Sequence, residues 1–160
     1  ITRVRFQCRV GCFGLHVVLV EARQHPKIEF HERSTEHFDS LFTAEFCKLL
    51  PRPWLISEDS HYDFDKVLSA LHGLMLPGDY LVCEDTSSQM HDWLAENNDG
   101  PSESAVAHTK HSIEQLRGTA RTLREFCLQH PAQYRVDTKY ADLFGYNVGK
   151  HWNSIIKRIA

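Results

Sequence analysis

The chain has 160 residues, of which 42% are apolar and 24% charged, an ordinary composition for one soluble globular domain. The formal charge of -3 and the pI near 6.4 exclude the basic field expected of a protein that binds nucleic acid. No apolar run approaches the roughly 20 residues that a membrane-spanning helix needs, and no signal peptide is recognised. We therefore expect a cytoplasmic protein without a membrane span.

Cysteine and histidine spacing predicts neither disulfides nor a zinc site. The five cysteines, at positions 8, 12, 47, 83 and 127, are odd in number and contain no C-x-x-C pair, which favours a reducing compartment. The eleven histidines are dispersed, and no H-E-x-x-H motif occurs among them.

Short β-like runs alternate with longer helical ones, the order typical of an α/β domain with a mostly parallel sheet flanked by helices. Residues 16–21 form a nearly continuous apolar, β-branched run that ends at Glu21, and residues 28–31 form a shorter one, so both predict strands. Apolar side chains at helical spacing predict a helix within residues 35–49, before Pro51.

The middle of the chain predicts one strand-helix-strand unit. Residues 54–56 indicate a short buried strand, residues 64–75 an amphipathic helix, and residues 80–83 a second strand. Because strand-helix-strand crossovers are right-handed and usually join neighbours, we expect these two strands to pair in parallel.

The remainder is less regular. Residues 97–101 are a polar loop, residues 113–127 carry a long helical pattern, and residues 144–148 and 154–158 are candidate closing strands. We expect one α/β domain over residues 1–160, with residues 1–14 an irregular remnant and residues 15–160 the core.

Acidic side chains follow three of the predicted strands: Glu21, Asp59 and the pair Glu84 and Asp85. Ligand sites of open α/β sheets lie beyond the carboxyl ends of the strands. Carboxylates gathered there repel one another unless a cation joins them, and oxygen ligands select a hard divalent ion such as Mg²⁺. The alternative is that Asp59 and Asp85 only cap the helices or loops that follow. The Glu21 carboxylate could equally bind the hydroxyl pair of a ribose or lie in solvent at the end of its strand.

Several motifs carry a resemblance over roughly residues 16 to 159. They are Ser57-Glu58-Asp59-Ser60-His61-Tyr62-Asp63-Phe64, Val67-Leu68, Leu76-Pro77-Gly78-Asp79-Tyr80-Leu81-Val82-Cys83-Glu84-Asp85-Thr86, Gly100-Pro101, Phe126, His130-Pro131, Tyr134-Arg135-Val136-Asp137, Phe144-Gly145-Tyr146-Asn147 and Ile156-Lys157-Arg158. In this order they resemble the cephalosporin hydroxylase / rhamnosyl O-methyltransferase family. The combination of the aspartate segment, P-G-x-Y and E-D-T is the specific part.

The resemblance implies a Rossmann-like fold that binds S-adenosylmethionine and a divalent metal, Mg²⁺ or another hard ion. By its match, Asp59, Glu84 and Asp85 bind the metal, and Glu21 and Asp59 belong to the cofactor site. His61 is the candidate base, since its ordinary pKa is near neutrality; an exposed loop histidine is the alternative. The implied activity is O-methylation of a small-molecule sugar or polyol hydroxyl, lipid-linked or in a natural-product glycoside.

The sequence departs from the family at two places. Before the Glu21 strand, the family has a strand, a Gly-rich loop and a helix. Here residues 9–14 precede that strand, and they are too few for a strand, a loop and a full helix. We therefore expect this part to be shortened or missing, in a fragment or in a divergent copy that has lost cofactor binding. Tyr62 stands where the family usually has a histidine, three residues after Asp59.

Three other interpretations follow from these departures and motifs. A degenerate, non-catalytic domain that binds a metal or a protein partner is the main alternative to the enzyme. An oxygenase is disfavoured because non-haem iron usually takes two histidines and one carboxylate, and an NAD enzyme because G-x-G-x-x-G is absent.

A sheet edge left uncovered near the N-terminus would favour self-association into a homo-oligomer.

Overall fold

The computed structural model describes residues 3–7, 28–32, 42–59, 63–97, 103–141 and 153–160. In chain order the elements are β1 (Arg3–Gln7), β2 (Ile28–Glu32), α1 (Ala44–Leu49), β3 (Leu55–Glu58), α2 (Phe64–Leu74), β4 (Tyr80–Cys83), α3 (Ser88–Glu96), α4 (Glu103–Gln129), β5 (Tyr134–Val136), α5 (Thr138–Ala141) and β6 (Ile155–Arg158). Among these helices, none is both long and apolar enough to cross a membrane.

The strands form two sheets. β1 and β2 pair in parallel, and a four-stranded sheet has the order β3-β4-β6-β5. β3 and β4 are parallel, whereas β6 runs antiparallel to both of its neighbours. The α/β class is thus confirmed, but the larger sheet is mixed rather than mostly parallel. Apolar patterning identifies a strand without giving its direction, so the reversal of β6 was not predicted.

Most predicted elements in the described residues are confirmed. The helix over residues 64–75 is α2, the strand over residues 80–83 is β4, and the long helical pattern lies within α4. The expectation of an irregular remnant in residues 1–14 is wrong in one respect, because β1 lies there. The predicted strands at residues 16–21 and 144–148, and residues 98–101 of the polar loop, lie outside the described residues.

One face of the four-stranded sheet packs against α2 and α4 to form the core. The amphipathic stripe of α2 contributes Phe64, Val67, Leu68 and Leu71, which pack against side chains from the strands and from α4. The other buried members of the cluster are Met75, Leu81, Cys83, Leu123, Tyr134 and Ile156. Burial of these side chains is the main force that holds the helices on the sheet.

β3 is buried on one face only. Leu55 is 75% exposed, whereas Glu58 at the end of the strand is 6% exposed. The prediction of a short buried strand at residues 54–56 is therefore wrong for Leu55. Alternate residues of a strand point to opposite faces, and three apolar residues in a row do not tell which face is covered.

A tight turn joins α2 to β4 and fixes where β4 begins. The Asp79 N–H donates to the Leu76 carbonyl at 3.0 Å, Pro77 follows Leu76, and Gly78 has a φ of 101°. These are the features of a type II turn, which needs a positive φ at its third residue and takes proline at its second. Gly78 supplies that conformation without steric cost.

The Asp79 carboxylate ties this turn to β3. Asp79 is 1% exposed, and its oxygens accept from the N–H of Trp54 at 2.7 Å and from that of Leu76 at 2.8 Å. The guanidinium of Arg52 forms an ion pair with the same carboxylate and lies 3.4 Å from the centre of the Trp54 ring. We call Asp79, Arg52, Trp54 and Leu76 the Asp79 clamp; it sets the start of both parallel strands.

A second polar cluster lies at the same end of the sheet. His72, His130, Tyr134 and Arg158, here called the His72 cluster, pack together, with the rings of His72 and His130 stacked at 4.3 Å. Arg158 donates through Nη1 to Nδ1 of His72 at 3.0 Å and to the Tyr134 hydroxyl at 2.9 Å. Because arginine only donates, Nδ1 of His72 must be an unprotonated acceptor.

The environment of His72 disfavours its protonated form. Burial, followed by the nearby charges of His130 and Arg158, lowers the pKa of His72 below its ordinary 6.5. A proton added at Nδ1 would also point at the Arg158 guanidinium. The His72 cluster therefore requires a neutral imidazole.

Replacing Asp79 is expected to destabilise the fold strongly. Asp79→Ala leaves the buried Trp54 N–H and the Leu76 N–H without their acceptor and removes the ion pair with Arg52, so the free energy of unfolding in urea should fall by about 3 kcal/mol. As a control, Asp92→Ala removes an aspartate whose ion pair with Arg117 is exposed, and should cost less than about 1 kcal/mol. Equal losses in the two variants would contradict this account of the clamp.

The His72 cluster predicts a loss of stability in acid. Since the pKa of His72 is lowered on folding, the unfolded chain binds more protons than the native one once the pH falls below the ordinary value of 6.5. The free energy of unfolding should therefore fall as the pH drops from about 7.5 to about 5.

The variant His72→Gln tests the origin of this pH dependence. It should flatten the dependence, while His111→Gln, at an exposed position of α4, should leave it close to that of the original chain. A pH dependence in His72→Gln as steep as in the original chain would assign the effect to other groups.

Candidate functional site

The candidate site lies where β3 and β4 end side by side. The parallel register pairs Leu55 with Tyr80 and Glu58 with Cys83. The pairing continues one step further, because the Glu84 N–H donates to the Glu58 carbonyl at 2.9 Å. The next residues on the two strands are then Asp59 and Glu84, side by side. We call Glu58, Asp59, Glu84 and Asp85 the carboxyl edge.

Side chains at the carboxyl edge alternate between the two faces of the sheet. On the core face, the Cys83 thiol donates to the Glu58 carboxylate at 3.6 Å. On the other face, the Ser57 hydroxyl donates to Oε1 of Glu84 at 3.1 Å. Since alternation returns to the same face after two residues, Asp59 shares the face of Ser57 and Glu84. Two predicted ligands therefore lie on neighbouring strands and on one face.

Glu58 is a buried acid that the sequence did not mark as a site residue. It lies beneath the sheet beside Cys83, which is 0% exposed. Burial, and then the Glu58 carboxylate, raise the pKa of the Cys83 thiol well above its ordinary range. The thiol therefore stays protonated and is unsuited to act as a nucleophile. Alternation along β3 places Glu58 on the same face as Ile56, but the sequence alone does not tell which face the helices cover.

Asp85 has an unusual backbone conformation. Its φ is 54°, in the left-handed region, which costs a residue with a side chain about 1 kcal/mol or more. The carbonyl oxygen of Asp85 lies 2.6 Å from Nε2 of His91, a fully buried residue of α3. Nothing in the spacing of the sequence marked His91, because α3 itself was not predicted.

Neither predicted metal-binding aspartate is the N-cap of the helix that follows it. Ser87 caps α3, and its hydroxyl accepts from the Met90 N–H at 3.3 Å. Asp63 occupies the N-cap position of α2, four residues after Asp59. The helix part of the capping alternative is therefore wrong for both Asp59 and Asp85, whereas its loop part is not tested by the helix caps.

The donor chemistry of the carboxyl edge suits a hard cation, although the side chains do not form a cluster. Over the parts of the chain described here, no three His, Cys, Asp or Glu side chains are grouped closely enough to hold a metal ion. Mg²⁺ usually keeps several waters and takes one or two carboxylates together with substrate oxygens. Asp59 and Glu84 provide two oxygen donors of that kind on one face.

The remaining predicted site residues are not described. Glu21, the proposed cofactor residue, and His61, the candidate base, both lie outside the described residues. Of the predicted set, the structure brings Asp59, Glu84 and Asp85 to one edge of the sheet.

Comparison with solved structures gives a likeness of fold. Two of the chains that match are the CmcI-N160 apo-structure, at 16% identity and a TM-score of 0.48, and CmcI-D160 Mg-SAM, at 15% identity and a TM-score of 0.44. Each alignment covers 84% of this chain and 44% of the other, so this chain spans less than half of the matched proteins. At these values the likeness carries no argument about residues or activity. No protein-family model and no curated protein matches the sequence.

Charge repulsion at the carboxyl edge predicts that Glu84→Gln is stabilising when no divalent cation is added. The glutamine oxygen still accepts from Ser57, while the negative charge beside Asp59 and Asp85 is removed. The free energy of unfolding in a chelator-containing buffer should rise by about 0.5 kcal/mol. Glu114→Gln, on an exposed face of α4, should change it by less. A clear loss of stability in Glu84→Gln would show that the carboxylate is structural.

Proposed function

We propose that this chain is part of an S-adenosylmethionine- and divalent-metal-dependent O-methyltransferase that acts on a sugar or polyol hydroxyl. The observation that carries the proposal is the side-by-side arrangement of Asp59 and Glu84 on one face of two parallel strands. Like charges that face each other across neighbouring strands repel, and a bound cation would remove this repulsion. The resemblance of the Asp59 segment, the P-G-x-Y turn and the E-D-T motif to an O-methyltransferase family supports the choice of reaction.

The proposed roles follow from the position of each carboxylate. Asp59 and Glu84 extend from adjacent strands whose register is set by backbone hydrogen bonds, so their separation changes little. Asp85 follows Glu84 directly and is the third proposed ligand. A divalent cation held there supplies Lewis acidity, which lowers the pKa of a coordinated substrate hydroxyl. Asp59 is also assigned to the cofactor site.

Two further residues complete the proposal. Glu21 is proposed to accept hydrogen bonds from the ribose hydroxyls of S-adenosylmethionine. His61 follows Asp59 by two residues and is proposed to take the hydroxyl proton, a role that needs a group whose pKa is near the working pH. Holding the hydroxyl oxygen in line with the sulfonium methyl group would account for much of the rate enhancement.

The exposed face of the carboxyl edge suits a polar substrate. Ser57 and Asp59 are exposed at the end of β3, and Glu84 is half-buried beside them. These groups together present hydroxyl and carboxylate oxygens, which hydrogen bond well to vicinal hydroxyls. A sugar or polyol therefore fits the proposal better than an apolar acceptor.

Titration calorimetry tests the proposal directly. Binding of S-adenosylmethionine should release or take up heat. The double variant Glu84→Ala, Asp85→Ala should weaken Mg²⁺ binding at least about tenfold, because even the loss of residues that only orient metal ligands lowers metal affinity by that much. The matched control is Asp92→Ala, Glu96→Ala, which removes two exposed carboxylates of α3 and should keep the original affinity. Full Mg²⁺ affinity in the first double variant would contradict the metal assignment.

A methyl-transfer assay distinguishes the enzyme from the non-catalytic alternative. Transfer of a labelled methyl group from S-adenosylmethionine to a diol substrate would exclude a degenerate domain. Metal binding without any heat from S-adenosylmethionine, with or without Mg²⁺, would favour the degenerate domain and contradict methyl transfer by this chain.

A further inference from the structure

We propose that His91 is a positioning residue of the carboxyl edge, which holds the main chain of Asp85 in the conformation from which its carboxylate serves the site. The link to metal binding rests on the proposed function. The link to the conformation of Asp85 rests on the geometry of α3 alone.

The contact between His91 and Asp85 has a defined direction. Nε2 of His91 lies 2.6 Å from the carbonyl oxygen of Asp85. A carbonyl oxygen only accepts hydrogen bonds, so Nε2 carries the proton and donates. His91 is 1% exposed, and a buried ring N–H that lost this acceptor would have no water to replace it.

The start of α3 is built to deliver this N–H. Ser87 caps the helix, and its carbonyl accepts from the His91 N–H at 3.2 Å in the first helical turn. The His91 side chain, in that first turn, reaches back toward the residues that precede the helix. α3 packs in turn against the long helix α4, which holds α3 in place.

The conformation that His91 holds is one that Asp85 would not adopt readily by itself. Asp85 has a φ of 54°, which is uncommon for a residue with a side chain and is kept only where surrounding contacts impose it. A bond to the carbonyl of this residue opposes rotation of the peptide that joins Asp85 to Thr86. Without it, the peptide could turn to extended backbone, which would carry the Asp85 carboxylate away from Glu84.

The experiment compares variants by their hydrogen-bonding ability and reach. His91→Phe keeps an aromatic ring but lacks the donor, His91→Asn has a donor too short to reach the carbonyl, and His91→Gln has a donor of similar reach. The matched control is His72→Phe, which removes a histidine hydrogen-bonded at the other end of β4. Amide hydrogen exchange of residues 84–90 and Mn²⁺ affinity are measured for each folded variant.

The proposal predicts a local effect at the carboxyl edge. Exchange over residues 84–90 should become about fivefold to tenfold faster in His91→Phe and His91→Asn, while His91→Gln stays near the original rate. Mn²⁺ affinity should fall about tenfold in the first two variants. His72→Phe should change neither quantity by more than about twofold.

The two proposals fail in different ways. Unchanged exchange over residues 84–90 in His91→Phe, or in His91→Asn should the phenylalanine variant not fold, overturns the role of His91. An equal effect in His72→Phe overturns it as well. If the original chain binds no Mn²⁺, the metal half of the proposed function fails, and the exchange rates still decide whether His91 holds Asp85.

Discussion

The buried Asp79 carboxylate is the interaction on which the rest of this structure depends. It accepts from main-chain N–H groups just before β3 and just before β4, and it pairs with Arg52. A buried carboxylate needs such partners, because desolvation without them is costly. The carboxylate thereby closes the turn before β4 and fixes that strand against the start of β3.

The register of β3 and β4, which is set at the Asp79 end, determines which residues lie side by side at the carboxyl edge. β3 and β4 are four residues each, so a pairing fixed near Trp54 and Asp79 leads to Asp59 and Glu84 side by side. A slip of one residue would send these carboxylates to opposite faces. Like charges held together by the backbone reduce stability unless a ligand joins them, and such local conflict is typical of binding sites. The Asp79 clamp and the core of α2 supply the stability that makes this arrangement tolerable.

The local elements of this unit were predictable, because their signals are local. The period of Phe64, Val67, Leu68 and Leu71 predicted α2, and the apolar run at residues 80–83 predicted β4. α3 was missed because it is short and its buried residue is a histidine rather than an apolar side chain, and the role of His91 was missed with it. The exposure of Leu55 and the reversal of β6 depend on which elements pack together, and strand patterns alone do not carry that information. The same is true of Glu58: three consecutive polar residues reveal nothing of burial until their faces are known.

The central claim is that Asp59 and Glu84 share a divalent cation. Anomalous diffraction from crystals of the chain soaked in Mn²⁺ would test it most directly. The account predicts an anomalous peak about 2.1 Å from an oxygen of each carboxylate, on the face of the sheet that carries Ser57. Full occupancy of a Mn²⁺ site elsewhere, with no peak at the carboxyl edge, would contradict it.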